Sequence, residues 1–278
     1  MAAVRRERSV ALVTGASSGI GASYAARLAQ DGYDLVLVAR RRDRLEELAG
    51  RLRTQGSTAE VLPADLTDPG DLTKVETRAS RGDIEFLVNN AGFAGYRPFA
   101  ELDSKIAEDL IRLHVLAVTR LARAALPGML RRHSGAIVNV ASLLSLSGSL
   151  PANPLPYRAT YAGAKAFILT FTQALAGELP DSGLRLQALL PGVVATEFHD
   201  TLNVDRSRMA AMAMQPDEVV TASVAALEQR ELICVPGLED PGLIEQLTGA
   251  QRAVMQAANR PQLAVRYQAP SRSGKSSS

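Results

Sequence analysis

The stretch Val10-Ala11-Leu12-Val13-Thr14-Gly15-Ala16-Ser17-Ser18-Gly19-Ile20-Gly21 decides the fold. A short apolar run suited to a buried strand leads straight into a turn with three glycines, and an apolar period resumes over Ile20–Gln30 as a helix. Gly15 permits the sharp turn, Gly19 lets backbone come close to a pyrophosphate, and Gly21 lets helix pack tightly on strand. Free N–H groups and the positive helix end around Ser17, Ser18 and Ile20 favour phosphate. A bare tight connection between strand and helix could carry the same glycines, so the other strand ends must decide.

Working outward, short apolar runs recur at Leu35–Val38, Ala59–Leu62, Ile84–Val88, Ala136–Val140, Leu184–Leu190 and Leu232–Val235. Between them lie helical periods at Arg41–Arg53, Pro69–Arg78, about Asp103 to Arg131, Tyr161–Glu178 and Pro216–Gln229. This alternation predicts an α/β fold: a Rossmann-like, doubly wound, seven-stranded parallel sheet flanked by helices in three layers. Ligands of such sheets sit beyond the carboxyl ends of the strands. One domain over residues 1–260 is expected, with residues 261–278 a Ser/Arg/Lys-rich disordered tail.

The composition, with 46% hydrophobic residues, supports a large core, and a net charge of +2 is too small and dispersed to suggest nucleic acid or an anionic membrane. No run approaches the roughly 20 apolar residues that span a bilayer, and the apolar run after Arg8 is too short for a signal peptide. A cytoplasmic address follows by default. Cys234, the single cysteine, reads as core, and the three histidines show no metal-ligand spacing, so no metal is expected.

Polar motifs follow the strands in order: Thr14-Gly15 with Gly19 and Gly21, Asp65-Leu66, Asn89-Asn90-Ala91-Gly92, Ser142, Tyr161-Ala162-Gly163-Ala164-Lys165, and Pro191-Gly192-Val193-Val194-Ala195-Thr196. This series resembles the short-chain dehydrogenase/reductase family over roughly residues 9 to 235. The resemblance implies a nicotinamide cofactor, with Asp65 against the adenine, Asn90 with Ala91 and Gly92 as the wall under the cofactor, and Thr196 on the carboxamide beside Pro191, Gly192 and Val194. It implies a catalytic set of Ser142, Tyr161 and Lys165, with Lys165 also holding the ribose. A homodimer or homotetramer is implied too, through the helices 103–131 and 161–178.

At the end of the second strand, where an acid would hold the ribose of NAD(H), stands Ala39, followed by Arg40-Arg41-Arg42. Forked, fixed positive charge suits a 2′-phosphate, so NADP(H) is expected in preference to NAD(H), with Arg40 the main discriminator and Arg41 assisting. Tyr161 and Lys165 stand four apart on one helix face. A tyrosine is a poor base at neutral pH, so a nearby cation is expected to favour its phenolate. Ser142 would hydrogen-bond the substrate oxygen.

Two departures from the family pattern stand out. His114 occupies the long helix where many members carry an asparagine in a proton relay. It could titrate near neutrality and serve the relay, or simply pack. Ser142 and Tyr161 stand 19 positions apart, and the extra residues in Ser145–Pro156 include three prolines, predicting a stiff loop over the substrate mouth. The expected pocket is mainly apolar: Phe93, Tyr96, Leu143, Leu144, Tyr157, Val193 and Phe198. A lid at about residues 197–215 is expected to add Met209 and Met212, though those methionines read equally well as core, and Tyr157 as packing. The leading expectation is an NADP(H)-dependent ketoreductase or alcohol dehydrogenase acting on a small apolar carbonyl or alcohol. The alternative is a redox sensor or scaffold that binds NADP(H) without turnover.

Overall fold

The computed structural model describes residues 9–153, 155–199 and 212–268. Seven strands, β1 (Val10–Thr14), β2 (Asp34–Ala39), β3 (Ala59–Pro63), β4 (Ile84–Asn89), β5 (Ala136–Val140), β6 (Arg185–Leu189) and β7 (Ile233–Cys234), form one sheet. Their order is β3-β2-β1-β4-β5-β6-β7, and every pairing is parallel, with Val13 opposite both Leu37 and Val88, and Val88 opposite Val138. Strand order reverses between β1 and β4, so the crevice beyond their carboxyl ends is the natural ligand site.

The strands are nearly continuous apolar runs because helices cover both faces. Side-chain alternation splits each strand between two cores: Ala11, Val13, Leu35, Leu37, Phe86, Val88 and Val138 pack with α1 (Gly19–Gln30), α2 (Arg42–Thr54) and α7 (Pro216–Glu228). Leu12, Val36, Val38, Leu87 and Ile137 face α3 (Pro69–Ala79) and the long helix. Local chemistry sets the helix starts. Asp68 accepts the amide of Asp71 ahead of Pro69, and Gln215 and Glu218 form a reciprocal capping box.

The long helix, expected as one regular element, has three parts: α4 (Ser104–Ile111), a π-helical stretch over Arg112–Ala117, and α5 (Val118–Arg132). By length and composition it is apolar enough to cross a membrane, which the sequence reading did not anticipate, but half of its most apolar stretch is buried inside the protein. It ends at His133 in the left-handed conformation, φ 49°. The helix α6 (Ala159–Glu178), which carries Tyr161 and Lys165, begins two residues earlier than expected.

The chain divides into two compact units, Met1–Gly237 and Leu238–Ser278, where one domain to residue 260 was expected. The second contains α8 (Gly242–Ala258), a helix with no buried residue that the sequence reading passed over. Of the expected tail, residues 261–268 are exposed and hold a short 3-10 turn at Val265–Tyr267, and the rest lies outside the described residues.

Candidate active site

Thr14 ties the glycine loop to the end of β4. Its hydroxyl donates to the Val88 carbonyl and accepts the amides of Asn90 (2.9 Å) and Ala91 (3.0 Å), while the Asn90 amide donates to the Thr14 carbonyl (2.9 Å). Gly15, at φ +69°, has no room for a side chain: a Cβ would lie 2.6 Å from Asn90 Nδ2, and one on Gly21 would overlap the Gly15 carbonyl. Gly19, at φ +53°, packs under the Thr196 methyl. Ser18 precedes α1 in an extended conformation and its side chain caps nothing, leaving first-turn amides for an anion. The residues present therefore fit a dinucleotide: amides for the pyrophosphate, and Asn90 and Thr196 closing on the loop from two sides.

The structure places the three arginines differently. The Arg40 side chain is 74% exposed and stands 3.9 Å from Asp65, whose carboxylate also accepts from the backbone and hydroxyl of Thr67. Arg41 instead lies on the glycine loop, donating to the hydroxyls of Ser17 (3.0 Å) and Ser18 (2.7 Å). Its remaining Nη1 meets Glu197 at 2.7 Å, and Arg44 meets the same carboxylate at 2.6 Å. Arg41 thus sits on the glycine loop, and Arg44 shares Glu197 with it. The sequence offered a signal for Arg44, three residues beyond Arg41 and hence on the same helix face. Leu66 and Val194 are buried, Pro191 accepts the amide of Leu143, and Gly192 stands in open space.

The expected catalytic set assembles. Ser142, just past β5, is buried and accepts the amide of Leu144, and its hydroxyl is close enough to Tyr161 to pull that phenol's pKa down. Lys165, one turn along α6 from Tyr161, donates to the Val140 carbonyl at 2.8 Å, with its ammonium 5.7 Å from the Tyr161 ring centre. Three rings surround that of Tyr161: Tyr96 at 5.2 Å and His114 at 5.6 Å, both edge-on, and Phe198 at 6.1 Å.

Burial opposes the expected phenolate and keeps His114 neutral. Tyr161 is raised well above the usual phenol value, chiefly by desolvation and then by Tyr96, with only Ser142 opposing; Lys165 is itself pushed down to about 7 by burial. The tyrosine thus holds its proton and is set up as an acid. His114 lies far below the usual imidazole range because of burial and then the charge of Lys165, so it stays neutral where titration near neutrality was one expectation. Its Nε2 lies 3.1 Å from the Phe93 carbonyl, which assigns the proton there, and Nδ1 has no partner among the described residues. Gly92 is required beside it, since a Cβ would lie 2.6 Å from His114 Cε1.

Of the expected pocket, Tyr96 and Phe198 stand on Tyr161, and Phe93 packs at 6.2 Å on His114. Leu144 and Val193 are half-buried and Leu143 is largely exposed. Tyr157 (58% exposed) and Met212 (72%) remain mostly in solvent, so neither acts as a packed wall; Met209 and most of the expected lid, residues 200–211, lie outside the described residues. Met214 belongs to the core, bridging Val194. Sequence reasoning missed Arg158. It is only 8% exposed and donates to the Ser147 hydroxyl and carbonyl and to the carbonyls of Leu150 and Pro156, folding the proline-rich loop onto the start of α6.

Residues 9–207 match the model of the short chain dehydrogenase family. The chain is a short-chain dehydrogenase. A short-chain dehydrogenase from Sphingobium yanoikuyae, solved in complex with NADPH, superposes with a TM-score of 0.86 at 40% identity, covering 93% of this chain and 99% of that one. The bulky-bulky ketone specific alcohol dehydrogenase from Comamonas testosteroni gives 0.84 at 33% identity, covering 95% and 100%. An uncharacterized oxidoreductase of Staphylococcus saprophyticus is 33% identical over 229 residues, 81% of this chain and 94% of its own length. This dehydrogenase is accordingly an oxidoreductase acting on alcohol or carbonyl groups.

Proposed function

We propose that this dehydrogenase reduces the carbonyl of an apolar small molecule, or oxidises the matching secondary alcohol, with NADP(H) in preference to NAD(H). The observation that carries the reading is the meeting of Ser142, Tyr161 and Lys165 beside a glycine loop on which Arg41 is already seated. The similar Sphingobium enzyme in complex with NADPH supports the cofactor, and the Comamonas enzyme's specificity for bulky ketones fits the apolar surroundings of Tyr161.

The nicotinamide supplies the hydride. The Ser142 hydroxyl donates to the carbonyl oxygen and stabilises the negative charge that grows there. Tyr161, buried and protonated, gives its proton to that oxygen, and the alcohol leaves. The Lys165 ammonium, anchored on the Val140 carbonyl, is the nearby cation that steadies the phenolate left behind, and it would hold the ribose of the bound cofactor. In the oxidative direction the same oxygen returns the proton to Tyr161. His114, held neutral, is a positioning residue: its ring edge fixes Tyr161 and its Nε2 holds the Phe93 carbonyl. Exposed Ile106, Ile111 and Leu116 on the long helix support assembly as a homodimer or homotetramer, and a cytoplasmic pool kept rich in NADPH would favour reduction.

The test is oxidation of NADPH, and separately of NADH, against a panel of bulky ketones. NADPH-dependent turnover that Tyr161→Phe abolishes is the expected result; equal rates with the two cofactors, or an active Tyr161→Phe variant, would overturn the reading.

A further inference from the structure

We propose that Glu197 is a specificity-determining residue that competes with the 2′-phosphate of NADP(H) for Arg41 and Arg44. The inference rests on the NADP(H) reading above. The two carboxylate oxygens are divided between the two guanidinium groups, Oε2 to Arg41 at 2.7 Å and Oε1 to Arg44 at 2.6 Å. A phosphate monoester uses the same donors, presenting several acceptor oxygens to forked N–H groups. The other N–H groups of Arg41 are engaged by Ser17 and Ser18 on the phosphate-binding loop, so the clamp stands where a dinucleotide must pass.

Glu197 is placed there by more than its charge. It follows Thr196, whose methyl packs on Gly19, so the backbone leading to the carboxylate is fixed by the glycine loop itself. The two arginines hold the carboxyl below the usual carboxylate range, hence ionised at neutral pH. Arg41, Arg44 and Glu197 are all 42–45% exposed, which leaves the ion pairs open to water and exchangeable. With the carboxylate in place the clamp carries one net positive charge; without it, two. A dianionic phosphate must displace the carboxylate, whereas a cofactor bearing only ribose hydroxyls gains nothing from displacing it. Glu197 therefore narrows the margin by which the phosphorylated cofactor is preferred, and its removal should widen it.

The experiment is calorimetric titration of the full chain with 2′,5′-ADP and with 5′-ADP, two probes that lack the nicotinamide and read binding without turnover. Glu197→Gln is compared with wild type and with Glu47→Gln, which removes an exposed carboxylate paired elsewhere, with Arg51. The expected result is that wild type prefers 2′,5′-ADP and that Glu197→Gln binds it about fivefold more tightly, as the loss of two exposed competing pairs implies, with 5′-ADP unchanged. Glu47→Gln should change neither. Unchanged or equal tightening of both probes in Glu197→Gln, or the same gain in Glu47→Gln, would overturn the proposal while leaving the cofactor reading intact. A wild type without preference for 2′,5′-ADP would overturn the cofactor reading itself, and the proposal with it.

Discussion

Replacing Arg158 by alanine is expected to destabilise the protein by about 3 kcal/mol and to impair catalysis at a distance. The guanidinium makes four hydrogen bonds: to the Ser147 hydroxyl (2.6 Å), the Ser147 carbonyl (2.7 Å), the Leu150 carbonyl (2.9 Å) and the Pro156 carbonyl (3.0 Å). Leu150 is exposed and Pro156 half-buried, so water can replace the arginine at their carbonyls once the side chain is cut back. Ser147 is buried, and its two acceptors would stay unpaired at roughly 1–3 kcal/mol each. A loss of about 3 kcal/mol in a domain of this size lowers Tm by roughly 6–12 °C. Arg158 also stands immediately before α6, three residues ahead of Tyr161, so a loosened loop shifts the start of the catalytic helix. Thermal and urea unfolding, with steady-state kinetics alongside, check this. Arg158→Lys should fall between wild type and alanine, because an ammonium cannot reach all four acceptors. An alanine variant within 1 kcal/mol of wild type, with unaltered kcat, would refute the reasoning.

Tyr161→Phe should lower kcat/KM by roughly a factor of a thousand while leaving 2′,5′-ADP binding unchanged; calorimetry beside kinetics separates the two effects. Gly21→Ala should abolish cofactor binding or folding, because its Cβ would overlap the Gly15 carbonyl; a soluble variant that titrates normally with NADPH would contradict this. Stability should rise with pH between about 7 and 9, below the range in which unfolding would release protons held by the buried Cys234 thiol and Tyr161 phenol. Lys165 is pushed down to about 7, so between pH 7 and its ordinary range near 10.5 the unfolded chain holds a proton that the native state does not. The gain across that window approaches about 1.4 kcal/mol per pH unit, and Lys165→Met should flatten it. Depressed His114 adds a second limb, since below about pH 6.5 the unfolded state takes up a proton that the buried ring refuses; His114→Asn should reduce that loss in unfolding scans between pH 5.5 and 7.

The strands were legible because two-sided burial leaves an unbroken apolar run, and β5 falls on the residues that its run marks out, Ala136–Val140. The glycine loop and the Ser142, Tyr161 and Lys165 set were legible because turn geometry and proton chemistry admit few residue types. Charge placement was not. Arg40, Arg41 and Arg44 share one chemistry, and only the folded arrangement seats Arg41 on Ser17 and Ser18 while Arg40 stays largely exposed beside Asp65. Nor does sequence carry desolvation: the shifts of Tyr161 and Lys165 come chiefly from burial in the folded protein. Arg158 reads like any surface arginine until the loop it folds is seen around it. In α8, by contrast, Leu243, Leu247, Val254 and Met255 keep a helical spacing that was there to be read.

The π-helical stretch over Arg112–Ala117 reconciles two periods. Leu113, Ala117, Leu121, Ala125 and Met129 are all buried and stand at strict steps of four. In a regular α-helix each such step overshoots a full turn by about 40°, so the stripe would wind progressively off the sheet. Over the first step, from Leu113 to Ala117, the wider turn takes up that overshoot, and His114 sits inside it, while the later steps run along α5. The ring that meets Tyr161 edge-on is thus presented from the wider turn and not from a regular α-helical one. Substitutions that favour ordinary α-helical bonding in this stretch should rotate the histidine away from the tyrosine while leaving the fold intact.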